Sequence, residues 1–181
     1  MDVSGMRRID RWVGVPACFV LTRWRRVVDW FRAPRPVEVR KILFVKLAEQ
    51  GATVLGASCL RRAIEQVGRE NVYFACFEEN RFILDVMNMI PEDNVITVKH
   101  DGVFSAATQL LGAIRRIRKL DVDATIDLEF FARSSALLTY LTGAPLRVGF
   151  HPYEGEGPYR GDLMTHRVRY NPHLHTCLLY T

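Results

Sequence analysis

Apolar positions in this chain fall into short runs of strand length separated by longer stretches with helical spacing. The run 41–47, KILFVKL, reads as a first strand, and Gln50-Gly51-Ala52 as the turn into a helix over 53–67. Second and third strands are predicted at 71–77 (NVYFACF) and 95–98 (VITV), followed by helices over 80–89 and 104–120. A fourth strand at 123–128 (DATIDL) leads through a helix over 132–142 to a fifth at 146–150 (LRVGF). Strands alternating with helices imply parallel β-α-β units with right-handed crossovers, so the expected fold is α/β, a doubly wound parallel sheet.

Both ends depart from that pattern. Residues 11–31 place Val13, Ala17, Val20, Trp24, Val27 and Phe31 at helical spacing, with Arg23, Arg25, Arg26 and Asp29 largely elsewhere, which predicts an N-terminal amphipathic helix. All three tryptophans, Trp12, Trp24 and Trp30, lie here among arginines. That composition suits a helix lying in the headgroup region of an anionic membrane; packing on the chain's own domain is the equal alternative. Ala33-Pro34-Arg35-Pro36 reads as a short stiff linker. Beyond Phe150 the sequence is rich in Gly, Pro, His and Arg, with one short possible strand at 165–170. The expected division is a basic extension and linker over 1–40, an α/β domain over 41–150, and a loop-rich segment over 151–181 that crosses into something further.

Charge sharpens this division. The 181 residues include 25 Lys/Arg and 20 Asp/Glu, and residues 1–41 hold ten of the basic but only four of the acidic side chains. The rest of the chain is near neutral, which removes the main support for a nucleic-acid-binding domain. Cys18, Cys59, Cys76 and Cys177 have neither CxxC nor zinc-finger spacing and are expected to be reduced and mostly buried. The apolar run 13–21 is about half of the roughly 20 residues that span a bilayer, so no spanning helix is expected.

In an open α/β sheet ligands bind at the carboxyl ends of strands, which directs attention to the turns after residues 47, 77, 98, 128 and 150. The first of these, LAEQGATVLG, has neither GxGxxG nor the GK[ST] of a P-loop, which disfavours a dinucleotide or ATP site. Gly51 belongs either to a plain tight turn or to one that brings backbone amides at a helix N-terminus close to an anion.

Residues 41–56, KILFVKLAEQGATVLG, resemble the opening of glycosyltransferase family nine, the family of the ADP-heptose lipopolysaccharide heptosyltransferases. There a strand ends in a basic residue and Leu before a turn of the form Gly-Asp. Asp127-Leu128-Glu129 with Arg133-Ser134, and TGAPLRVGF over 142–150, are similar to that family's Asp-Leu-(Gln/His), Arg-Ser and Gly-Ala-Pro-x-Arg-(Ile/Val)-Gly-Phe segments, in the same order. The resemblance covers residues 41–176. It implies a GT-B type enzyme whose two Rossmann-like halves face each other across a cleft, with this chain as the N-terminal, acceptor-side half and the donor half missing. It further implies inverting transfer of a heptose-like sugar from a nucleotide-diphosphate sugar such as ADP-heptose to a lipid-linked acceptor of the lipopolysaccharide-core type. The expected location is the cytoplasmic, inner face of the bacterial inner membrane, with peripheral membrane contact. No cofactor, metal or nucleic acid is expected, and the fragment alone is expected to be inactive.

In that family the Asp after the turn glycine is the expected general base, since a carboxylate can accept the acceptor hydroxyl's proton. Ala52 stands at that position here. Glu49, three residues earlier, is the candidate replacement, with Asp127 or Glu129 as alternatives. The rival is a non-catalytic, membrane-associated binding protein on the same fold. Lys46, Gly51, Arg133, Arg147, His151, Arg160, Arg167 and Arg169 are candidate acceptor contacts, because guanidinium groups grip phosphates bidentately. Isolated surface arginines would contribute little. His166, His173 and His175 are too irregularly spaced to mark a metal site.

Overall fold

The computed structural model describes residues 11–31, 36–99, 103–130, 132–152 and 159–170. His173, His175 and Cys177, and all but Pro36 of the predicted linker, lie outside them. Six strands form one parallel sheet: β1 Ile42–Val45, β2 Val72–Phe77, β3 Val95–Val98, β4 Ala124–Asp127, β5 Leu146–Pro152 and β6 His166–Tyr170. Their order, β3-β2-β1-β4-β5-β6, reverses direction between β1 and β4. This is the doubly wound, Rossmann-like arrangement, whose ligands bind beyond the carboxyl ends of the strands at that reversal.

The helices are α1 Gly14–Trp30, α2 Gln50–Leu55, α3 Ala57–Val67, α4 Arg81–Met87, α5 Val103–Leu120 and α6 Arg133–Leu141. Strand β1 is apolar throughout because alternate side chains serve two cores. Ile42 and Phe44 pack with Ala52, Leu60 and Leu84 of α2, α3 and α4. Leu43 and Val45 pack with Ile114 and Ile117 of α5 and Leu138 of α6. The start of β1 is tied to β4 by Asp123, whose Oδ2 accepts the backbone N–H groups of Arg40 at 2.9 Å and Lys41 at 2.8 Å.

Three features differ from or add to the expected pattern. The helical stretch 53–67 is two helices separated at Gly56, which keeps helical hydrogen bonds on both sides. Beyond Phe150 the chain stays with the sheet: β5 continues to Pro152, and β6 pairs with it from Val148↔His166 to Pro152↔Tyr170. Finally, α1 packs on α6 through small side chains and Leu21, while most of its large apolar side chains stay exposed.

The face of α1 turned inward carries Gly14, Cys18 and Thr22, one residue per turn, and Cys18 is buried with Ala136, Leu163 and Met164. Small side chains let the helix backbone come close. A β-carbon at Gly14 would lie 2.9 Å from Arg133 Cβ. On the opposing loop, Gly161 has φ +68° and lies directly under the helix; a β-carbon there would stand 2.6 Å from Thr22 Oγ1 and 2.8 Å from the Cys18 carbonyl oxygen. The Asp162 N–H donates to Thr22 Oγ1, and Arg25 Nη1 donates to the Asp162 and Met164 carbonyls and to Asp162 Oδ1. Among the described residues, no helix is long and apolar enough to cross a membrane.

Gly161→Ala combines a left-handed φ with that contact and should cost about 2–3 kcal/mol, read as a lower urea midpoint at unchanged slope. Gly51→Ala is the comparison: it lies in α2 with nothing within 4 Å of the added carbon, and should leave stability unchanged or raise it by up to about 1 kcal/mol.

Candidate functional site

The carboxyl ends of β1 and β4 bring five charged side chains together. Lys46, one residue past β1, is fully buried, and its ammonium donates at 3.0 Å both to Glu49 Oε2 and to Glu129 Oε2. It also stands 5.5 Å from the centroid of the Phe130 ring. Glu129 uses its other oxygen to accept the N–H groups of Leu47 and Ala48, each at 3.0 Å. The turn after β1 is therefore held by a carboxylate supplied from the turn after β4.

Behind this pair lies a second carboxylate. Asp127, the last residue of β4, is buried; its Oδ1 accepts the Glu129 N–H at 3.0 Å, and its Oδ2 accepts the Ser135 hydroxyl at 3.1 Å. Arg160 enters from the loop before β6 and donates through Nη2 to Asp127 Oδ2 and to Ser135 Oγ. Its remaining donors reach the carbonyls of Ala132, Glu129 and Phe150 at 3.0, 2.9 and 3.4 Å. Burial pushes the Asp127 carboxyl above its ordinary range, against the pull of Arg160, the Glu129 amide and Ser135.

Glu49 differs from both. Its side chain is 67% exposed, against 10% for Glu129 and none for Asp127. It precedes α2 in the left-handed conformation, φ 69°, which for a non-glycine residue costs about 1–2 kcal/mol. Of the three carboxylates considered from sequence, Glu49 is the one open to solvent. Ala52, by contrast, is 7% exposed and packs in the first core, so a carboxylate there would be drawn out of water. Asn80 Nδ2 donates to the Leu47 carbonyl and Gln50 Nε2 to the Glu79 carbonyl, fixing this turn against the one after β2.

The other candidate contacts do not form one cluster. Arg147 and Arg160 are buried with their guanidinium groups directed at the protein: Arg147 donates to the carbonyls of Leu163 and Ala144 at 2.8 and 2.6 Å and lies over the Tyr140 ring. Both hold the loop 159–164 in place, a use that residue type alone does not distinguish from phosphate binding. Arg133 is half-buried at the start of α6 and donates to the Tyr159 carbonyl at 2.8 Å. Arg167 and Arg169 are exposed on β6, with Arg167 paired to Asp162. His151 lies on β5 opposite Arg169, and burial, with the charge of Arg167, holds its ring below the ordinary range. Gly51 sits inside α2.

Sequence reading missed Ser135 as a partner of Asp127, and Asp162 as the anchor for α1. For Asp162, burial raises the carboxyl, but hydrogen bonds and charge from Arg167 and Arg25 overcome it and hold the group below its usual range. Cys18 and Cys76 are buried and Cys59 is half-buried, none of the three in a disulfide; burial pushes Cys76 up to about 12. Among the described residues no His, Cys, Asp and Glu group could hold a metal ion.

Two solved structures share this architecture. One is a glycosyl transferase family 9 protein from Veillonella parvula, which aligns with TM-score 0.64 and 17% identity over 81% of this chain and 40% of its own. The other is the E. coli heptosyltransferase WaaC with ADP-2-deoxy-2-fluoro heptose, with TM-score 0.61 and 16% identity over 77% of this chain and 45% of its own. The chain thus spans less than half the length of either, and the likeness is one of fold. No family model matches the chain, and no curated protein matches it.

Arg160→Met leaves Asp127 buried without its cation and should cost about 3–5 kcal/mol at neutral pH. Because burial already raises the folded-state pKa of Asp127 above its unfolded value, the stability linked to its protonated form is complete below the unfolded value and lost as pH rises through the folded one. The deficit of the variant should therefore shrink as the pH is lowered, which urea titrations of both proteins across acidic pH would read.

Proposed function

We propose that this chain is the acceptor-side half of an inverting glycosyltransferase. It would pass a heptose-like sugar from a nucleotide-diphosphate sugar, such as ADP-heptose, to a lipid-linked acceptor of the lipopolysaccharide-core type. The observation that carries this reading is the common fold, over 77–81% of the chain, with two sugar transferases. The donor would be bound by a second half facing the carboxyl ends of β1 and β4. The acceptor would lie in the inner leaflet of the bacterial inner membrane, so the protein would work at its cytoplasmic face through peripheral contact.

In this reading Glu49 is the general base. The acceptor hydroxyl donates its hydrogen bond to the exposed Glu49 carboxylate. As the hydroxyl oxygen bonds to the anomeric carbon, its proton passes to Glu49, and the bond to the nucleotide diphosphate breaks on the opposite face. An ionised carboxylate is acceptor-only, which suits it to this step. The Lys46 ammonium, held from behind by Glu129, fixes the carboxylate's direction. Arg133, Arg167, Arg169 and His151 border the same sheet end and the β5–β6 side, and would meet anionic groups of the acceptor. Gly51, with no side chain above α2, would leave room for it.

A second reading rests on Ala52. With a methyl group in the first core where the resembled family carries its base, the chain would be a non-catalytic binding protein on the transferase fold.

The two readings separate by experiment. In a protein that carries a donor half, Glu49→Gln should lower kcat by about a hundredfold with little change in acceptor KM; an unchanged kcat removes Glu49 as the base. Residues 1–181 alone should bind a lipopolysaccharide-core acceptor and transfer nothing from ADP-heptose. Turnover by that chain would refute the division of labour, and failure to bind the acceptor would refute the acceptor-side assignment. An inactive unmutated protein that gains activity with Ala52→Asp would establish the second reading.

A further inference from the structure

We propose that the outward face of α1 is a docking surface for an anionic phospholipid membrane. An amphipathic helix on a globular domain ordinarily turns its apolar stripe toward the core. Helix α1 does so only with Leu21. The rest of its inward face is Gly14, Cys18 and Thr22, with Arg25 bonded to Asp162, while Val13, Val20, Trp24, Val27 and Phe31 form an exposed stripe on the other side. Trp12 and Trp30 flank that stripe and are 76% and 87% exposed. The close approach is built in: a β-carbon at Gly14 would meet Arg133, and one at Gly161 would meet Thr22 and Cys18.

Charge selects the occupant. Residues 1–41 hold ten Lys/Arg against four Asp/Glu, whereas the rest of the chain is near neutral. On the outward side, Arg23 lies over the Phe19 ring at 5.0 Å; at the edge of the stripe the Arg26 side chain is 61% exposed, with its guanidinium 3.8 Å from Asp162 Oδ2. Aromatic and aliphatic side chains interleaved with arginines match an interface that is apolar below and anionic above. A second copy of the chain fits worse, since packing two such faces together would set arginine against arginine. Gly14 abuts Arg133 at the start of α6, the helix that follows β4. The start of the docking helix therefore lies at the same end of the sheet as Lys46 and Glu49. The proposal does not depend on the transferase reading, since it concerns lipid binding in the absence of any sugar donor.

The test is co-sedimentation of the full chain with vesicles. Binding should occur to phosphatidylglycerol/phosphatidylethanolamine vesicles, weaken with added salt, and be absent with phosphatidylcholine alone. The variant Val20→Ser/Trp24→Ser/Phe31→Ser changes exposed positions only and should keep the wild-type urea midpoint while binding at least about tenfold more weakly. Three results would overturn the proposal. They are no wild-type binding to the anionic vesicles, equal binding by the triple variant, or a wild-type dimer in light scattering that the triple variant disperses.

Discussion

A carboxylate at the inner end of a parallel strand has to be met by donors brought from elsewhere in the chain, and Asp127 sets that requirement for this domain. Its partners come from three places: the amide of Glu129 just beyond β4, the Ser135 hydroxyl on α6, and Arg160 from the loop before β6. Arg160 in turn satisfies carbonyls after β4 and in β5, so a single guanidinium gathers the carboxyl ends of two strands. Once Arg160 is seated, Gly161 and Asp162 follow it to the surface on which α1 rests, and β6 continues from there along β5. Removing the charge pair would loosen α1, the loop and the outer strand together, because each is positioned by the one before it.

The same residues divide the carboxylates at the sheet end into buried ones that hold the turns and an exposed one. Asp127 and Glu129 are both consumed in holding the turns after β4 and β1, and neither faces solvent to a useful extent. That division leaves Glu49 exposed but placed: its backbone is in the left-handed region, and its carboxylate accepts from a buried ammonium that Glu129 also holds. Strain of this kind in a surface turn persists only where neighbouring contacts over-determine it. Here the Glu129 carboxylate and the Asn80 and Gln50 amides supply them.

What could be read from sequence follows from which interactions leave a pattern. All five main strands were legible because a strand buried on both faces must be a short apolar run, and β1 is such a run. The position of Lys46 and Glu49 at the strand end followed from the same pattern. The separation of α2 from α3 was not legible, since an isolated glycine inside a helical pattern can also be absorbed without a break. Arg147 and Arg160 were misleading because an arginine bound to carbonyls looks in sequence like an arginine awaiting a phosphate. The orientation of α1 was ambiguous for a related reason: periodicity locates an apolar face but says nothing of where it turns, and the close packing rests on Gly14, Cys18 and Thr22 beside Leu21, outside the apolar stripe that the spacing marks.

The all-parallel sheet also governs the order in which the molecule can assemble. Arg40 bonds to Asp123, 83 positions later, and Arg25 meets Asp162 after a further wait, at a separation of 137. At roughly 5–20 residues per second of synthesis, the residues of α1 wait on the order of ten seconds before their anchor has been made. Contacts of such separation form late because the loop they close must first be confined. Seating of α1 therefore has to wait for the loop 159–164, and as a long-range contact at the edge of the domain it is expected to be among those released early when the domain opens locally.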